Sequence, residues 1–173
     1  MNPINKLIVL YGEPNAGKTT TLKKVIEYFT ERPIPSAYNE IRVVLKVGDA
    51  TVYLATLGDF PGIIDTNFNF FHGTIRTNAN VYELDGWDLK AIDKERLLEL
   101  KPDICVTACR VYTDGSTNDA YQRTCEHILE DVPSSVKWIL KEGATGNRTQ
   151  QRAVNTDRLT ALEIVAEIMN SVK

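Results

Sequence analysis

Only two histidines and three cysteines occur in this chain of 173 residues, and no acidic or basic excess dominates it. His72 and His127 stand far apart, and Cys105, Cys109 and Cys125 do not pair with them at zinc-ligand spacing, so a structural zinc site is excluded. An odd number of cysteines at scattered positions makes no disulfide framework, and the expected compartment is a reducing cytoplasm. No apolar run approaches the ~20 residues that cross a bilayer, so no membrane role is expected. Met1-Asn2-Pro3-Ile4-Asn5-Lys6 lacks the basic, apolar pattern of a leader. Twenty Lys and Arg against 23 Asp and Glu leave a net charge of −3. A pI near 5.5 rules out a broadly basic coat for nucleic acid, and no nucleic-acid partner is indicated. No Ser/His/Asp triad can be assembled. The 43% hydrophobic and 25% charged residues are those of an average globular protein, which excludes disorder and fibrous repeats.

The pattern is that of one domain spanning residues 1–173, without repeats or a low-complexity linker. Lys6 to Tyr11 is a short apolar run stopped by Gly12, as expected of a strand covered on both faces. Thr19 to Thr30 takes helical spacing, with Leu22, Val25, Ile26 and Phe29 on one stripe. Ile41–Val47 and Ala50–Leu57, separated by Gly48-Asp49, predict an antiparallel hairpin. Ile64, Phe68 and Phe71 suit a short helix closed by Gly73, and residues 74–86 are expected to be irregular. Asp93 is the expected cap of a helix carrying Leu97, Leu98 and Leu100. Asp103–Cys109 and Val136–Leu140 predict two more core strands, with a helix bearing Tyr121, Cys125, Ile128 and Leu129 between them. Thr156 is expected to open a final helix whose apolar face carries Leu159, Leu162, Val165, Ile168, Met169 and Val172. The alternation predicts a three-layer α/β domain, its mostly parallel sheet flanked by helices on both faces with the antiparallel hairpin at one edge. Ligands of such sheets sit beyond the carboxyl ends of the strands, which directs attention to the loops at Gly12, Asp59, Arg110 and Lys141.

The first of these loops reads Gly12-Glu13-Pro14-Asn15-Ala16-Gly17-Lys18-Thr19. Gly12 suits a sharp exit from the strand, and Gly17 lets main chain approach a ligand without a Cβ. Amides from Asn15 to Thr19 and the adjoining Thr20 would form an anion-binding concavity, reinforced by the partial positive charge of the helix start. Lys18 supplies a mobile charge for β- and γ-phosphate oxygens, and the Thr19 hydroxyl a ligand for Mg²⁺. At average composition, four constrained positions coincide in roughly one chain in a hundred of this length, or fewer. The loop resembles, position by position, the Walker A signature of the P-loop NTPase superfamily. That resemblance implies a P-loop NTPase-like sheet and a nucleoside triphosphate ligand.

Asp59-Phe60-Pro61-Gly62 follows the hairpin and resembles the Asp-x-x-Gly segment of the Ras-like and translation-factor GTPases. By that resemblance Asp59 ends a core strand and holds Mg²⁺ through water, while the Gly62 amide senses the γ-phosphate. As plain punctuation after a strand, the same residues need no such role. The GTPase likeness stops at the base site, where Leu140-Lys141-Glu142-Gly143 matches at most the lysine of Asn-Lys-x-Asp. Asn118-Asp119 lies at a helix start without a lysine. ATP is therefore expected over GTP. Arg110, at the end of the third core strand, either pairs with Asp59 or neutralises charge on the γ-phosphoryl group; a solvated ion pair is the alternative. Asp114 suits a turn and Thr117 a helix cap, with orientation of a nucleophile as the other reading. The combination of Gly58-Asp59, Asn67–Phe71, Ala108-Cys109-Arg110 and Gly115-Ser116-Thr117 also resembles small uncharacterised P-loop proteins of bacteria and phages.

Cys105 and Cys109 share one strand face and are expected to be buried hydrophobes. Phe68, Phe70 and Phe71 suit an apolar cluster better than base stacking. Arg148, Arg152 and Arg158 suit a solvated surface. Three functions remain open. The first is an NTPase that hydrolyses the β–γ bond of ATP–Mg²⁺, coupled to a protein partner or to motion of residues 31–39 and 60–86. Lys18, Asp59 and Arg110 are its candidate catalytic groups, with Thr19 and Asp59 about the metal. The second is a phosphotransferase with an arginine-bearing lid at residues 143–158. The third is a nucleotide-dependent binding module with little turnover.

Overall fold

The computed structural model describes residues 6–13, 16–34, 41–56, 81–85, 88–110, 135–142 and 151–172. Seven strands form one sheet: β1 (Lys6–Gly12), β2 (Arg42–Val47), β3 (Ala50–Ala55), β4 (Val81–Asp85), β5 (Asp88–Ile92), β6 (Ile104–Arg110) and β7 (Ser135–Leu140). Three helices are described, α1 (Lys18–Thr30), α2 (Lys94–Leu100) and α3 (Gln151–Ser171). The strand order is β5-β4-β2-β3-β6-β1-β7. β3, β6, β1 and β7 run parallel, β2 is antiparallel to β3 and parallel to β4, and β5 is antiparallel to β4. This is an α/β fold with a mixed, mostly parallel sheet.

The alternation of each central strand decides which residues fill each layer. Ile8 and Leu10 of β1 and Val106 and Ala108 of β6 face a cluster with Leu22, Val25 and Ile26 of α1 and Ile164 and Ile168 of α3. Leu7 and Val9, on the opposite face, join Tyr53, Cys105 and the half-buried Leu100 of α2. Each fully buried Leu, Ile or Val contributes about 1.5–3 kcal/mol, so the middle of β1 is firmly anchored in the sheet. Helix α3 is tied to the sheet near both ends of its packed stretch: Glu167 meets Lys6 at 2.6 Å, and Asp157 meets Lys141 at 3.0 Å.

Several elements differ from the sequence expectation. Val81–Asp85, inside the stretch expected to be irregular up to 86, form β4 and pair antiparallel with β5 (Asp88–Ile92) at the sheet edge. The edge expected of the β2–β3 hairpin is therefore covered, and β2 lies inside the sheet. β3 ends at Ala55, short of the expected strand end at Asp59. Helix α3 starts at Gln151, so Thr156 is an internal helical residue whose carbonyl accepts from the Thr160 hydroxyl. Its core face is Ala161, Ile164, Val165 and Ile168, while Leu159, Leu162 and Met169 are exposed. Two other expectations hold. The Asp93 carboxylate caps α2 by accepting from the Arg96 amide at 2.9 Å, and Gly48 turns the β2–β3 hairpin at φ +60°. Burial pushes the Cys105 thiol well above its ordinary value, which leaves it an inert core residue. The expected elements at residues 64–73 and 118–130 lie outside the described residues. No helix among the described residues is long and apolar enough to cross a membrane.

Candidate functional site

The parallel strands β3, β6, β1 and β7 end along one edge, and the segment between β1 and α1 crosses it. Gly12 is the last residue of β1. A Cβ there would stand 2.5 Å from the carbonyl oxygen of Lys141, which follows β7. Close approach of a neighbouring main chain, rather than a sharp turn, is therefore what glycine provides at this position. Gly17 has a different reason. It is the N-cap of α1 with φ 100° and ψ 23°, the left-handed region that side-chain-bearing residues avoid.

Between them the loop folds on itself. The Ala16 amide donates to the Glu13 carbonyl at 3.2 Å, so it is turned inward and does not join the expected row of anion-binding amides. The first helical bond runs from the Thr21 amide to the Gly17 carbonyl at 2.8 Å. No side chain caps the start of α1, and its first turn carries no acidic residue. Among the described residues no side chain is seen to cap the amides of that turn, and a helix start of this kind favours an anion.

Lys18 is buried, and its ammonium donates to the carbonyls of Gly12 at 3.0 Å and Glu13 at 2.9 Å. The lysine folds back over the loop that precedes it, placing its charge among main-chain oxygens. Thr19 is half-buried in the first turn, Thr20 is exposed, and Glu13 points to solvent. Pro14 and Asn15 lie outside the described residues.

The remaining candidates divide sharply. Arg110 ends β6 and stands opposite Gly12 in parallel register, so its backbone adjoins the start of the loop. Asp59, Gly62, Asp114 and Thr117 lie outside the described residues. β6 intervenes between β3 and β1, so the end of β3 is two strand spacings, roughly 10 Å, from the end of β1. A carboxylate on the connection after β3 must reach across β6 to meet a metal at the loop. Arg42 begins β2 opposite Ala55, three strands from β1, and is not brought to the loop. It lies by Tyr53, whose phenol burial pushes above its ordinary value while the Arg42 charge opposes the rise.

Lys141 is the residue whose place the sequence discloses least. In the sequence it matches only the lysine of the base-reading motif. Here it is 1% exposed, and its ammonium donates to the carbonyls of Ala16 at 2.9 Å and Glu142 at 2.7 Å. Asp157 Oδ1 stands 3.0 Å away but off the hydrogen-bond axis, so charge rather than alignment holds that pair. The only signal in the sequence was a lysine immediately after a core strand, which reads equally as a solvated end.

Among the described residues, no three or more His, Cys, Asp or Glu side chains gather as a metal site. A Mg²⁺ ion carried on phosphate oxygens keeps several waters and needs only one or two protein ligands, a demand the Thr19 hydroxyl fits. Comparison with protein-family models, curated proteins and solved structures yields no match.

Proposed function

We propose that this protein is a P-loop nucleoside triphosphatase that binds ATP–Mg²⁺ at Gly12–Thr20 and hydrolyses the β–γ phosphate bond. The observation that carries this reading is the buried Lys18 ammonium, folded onto the Gly12 and Glu13 carbonyls beside an uncapped helix start. A buried ammonium at the carboxyl edge of a parallel sheet, next to the start of a helix, is suited to a polyanion. On binding, Lys18 turns toward the β- and γ-phosphate oxygens while the first-turn amides of α1 hold the chain of phosphates in place. Mg²⁺, when bound, would supply charge neutralisation on the phosphates, and the Thr19 hydroxyl and Asp59 are the groups that would hold it. Water attacks the γ-phosphorus, the bond to the β–γ bridging oxygen breaks, and ADP and phosphate leave. Positioning and charge neutralisation are most of what this reaction needs, and Arg110, whose backbone lies opposite Gly12, is the candidate for a further cation.

ATP is preferred over GTP in this reading because Lys141, the one residue matching the guanine-reading motif, turns its ammonium to main-chain carbonyls and Asp157. The hydrolase reading is preferred over a lidded phosphotransferase because residues 151–158 of the suggested lid belong to α3. Hydrolysis is coupled to a protein partner or to a loop movement, and the expected compartment is the cytoplasm. The test is a titration of ATP, GTP, CTP and dATP with and without Mg²⁺, followed by product analysis. Tight ATP–Mg²⁺ binding with release of ADP and phosphate supports the reading. Failure of every triphosphate to bind refutes it.

A further inference from the structure

We infer that Lys141 is a positioning residue for the phosphate-binding loop, aiming the Gly17 amide by holding the Ala16 carbonyl, with Asp157 of α3 as its anchor. The inference rests on the phosphate-binding reading above and adds to it a residue that makes no contact with the ligand.

The carbonyl of Ala16 and the amide of Gly17 belong to one peptide group. A trans peptide is planar, with its C=O and N–H pointing in opposite directions. The 2.9 Å bond from Lys141 Nζ fixes the Ala16 oxygen, and through the planar peptide it fixes the Gly17 N–H on the side facing away from the Lys141 ammonium. Gly17 itself has a left-handed backbone and no side chain to resist rotation of that peptide. An external tie is what keeps such a peptide from flipping.

Lys141 grips the loop at more than this point. Its own amide donates to the Tyr11 carbonyl at 2.7 Å, and its carbonyl passes so close to Gly12 that no Cβ fits there. Two main-chain oxygens accept from the ammonium, and the Asp157 carboxylate stands 3.0 Å away as its counter-charge. Asp157 is buried too, in the second turn of α3, so the loop and that helix share one fixed charge. A buried ion pair contributes little net stability compared with apolar residues of the same size. Stability and loop geometry can therefore be separated by experiment.

The double variant K141M/D157L removes both charges while keeping bulk. The expected result is a melting temperature close to that of the unaltered protein, with ATPγS–Mg²⁺ bound about tenfold or more weakly. Amide exchange should quicken in residues 16–19 and stay slow in β1 and β6. Full affinity in a folded double variant would overturn the inference. Nitrogen-15 lysine NMR of the unaltered protein gives a second reading that needs no mutation. The Lys141 ammonium signal should move when ATPγS–Mg²⁺ saturates the loop, and an unmoved signal overturns the inference. K18A, measured alongside, separates the two proposals. If K18A loses binding and the double variant does not, only the role of Lys141 falls. If K18A keeps full affinity, the phosphate site itself is refuted.

Discussion

Gly12 and Arg110 stand opposite each other as the last residues of two neighbouring parallel strands, β1 and β6. Adjacent strands lie about 4.8 Å apart, so among the described strand ends those of β6 and β7 are the nearest to the loop. Arg110 thus begins its connection one strand spacing from the loop, whereas the connection carrying Asp59 begins two away.

Replacing Arg110 by alanine is expected to lower kcat for ATP hydrolysis by about 10²-fold or more, the cost of losing one preorganised charge donor. Nucleotide affinity should change much less, because the cation acts on charge that develops at the γ-phosphoryl group. Single-turnover assays alongside equilibrium binding separate the two. Equal losses in both would make Arg110 a ground-state binding residue.

The two loop glycines should fail for different reasons. Gly12→Ala places a methyl group 2.5 Å from a main-chain oxygen, so β1 and β7 must separate, at about 1–3 kcal/mol. Thermal melting should show this with or without nucleotide. Gly17→Ala must hold a side-chain residue at φ 100°, a strain of about 1–3 kcal/mol concentrated at the loop. Its main effect should be on triphosphate binding.

Acid stability should carry a small signature of the edge hairpin. The hydrogen bonds and charge of Arg96 hold the Glu83 carboxyl below its ordinary value of 4.5. A lowered folded value means that the pair stabilises the protein above about pH 4.5, and that this contribution is lost as pH falls through the folded value. The difference in melting temperature between the unaltered protein and Glu83→Gln should be present at pH 7 and shrink in acid. The pair is largely exposed, so the difference should be modest and should weaken in high salt. A difference independent of pH would contradict this assignment.

How far the sequence discloses this architecture depends on whether a feature is local. β1, α1 and the glycines between them are local patterns of burial and backbone need, and they stand where the residues suggested. β4 and β5 escaped because charged residues interrupt their short apolar runs, and their pairing with each other and with β2 is not encoded locally. The first turns of α3, from Gln151 to Thr156, hold only Ala153 and Val154 as apolar residues and carry no stripe, so the helix is expected to begin later. The placing of β6 between β3 and β1 is a matter of long-range pairing that no local pattern encodes. Lys141 was illegible for the same reason, since its meaning comes from Ala16, 125 positions earlier, and from Asp157.

The central claim is that Lys18 and the uncapped start of α1 hold a triphosphate. Calorimetric titration of ATP–Mg²⁺ into the unaltered protein and into Lys18→Ala tests it most directly. Loss of the charge-assisted bonds should weaken binding by about 1.5–3 kcal/mol, roughly 10- to 150-fold, with the fold intact by circular dichroism. Equal affinity in the two proteins would contradict the account.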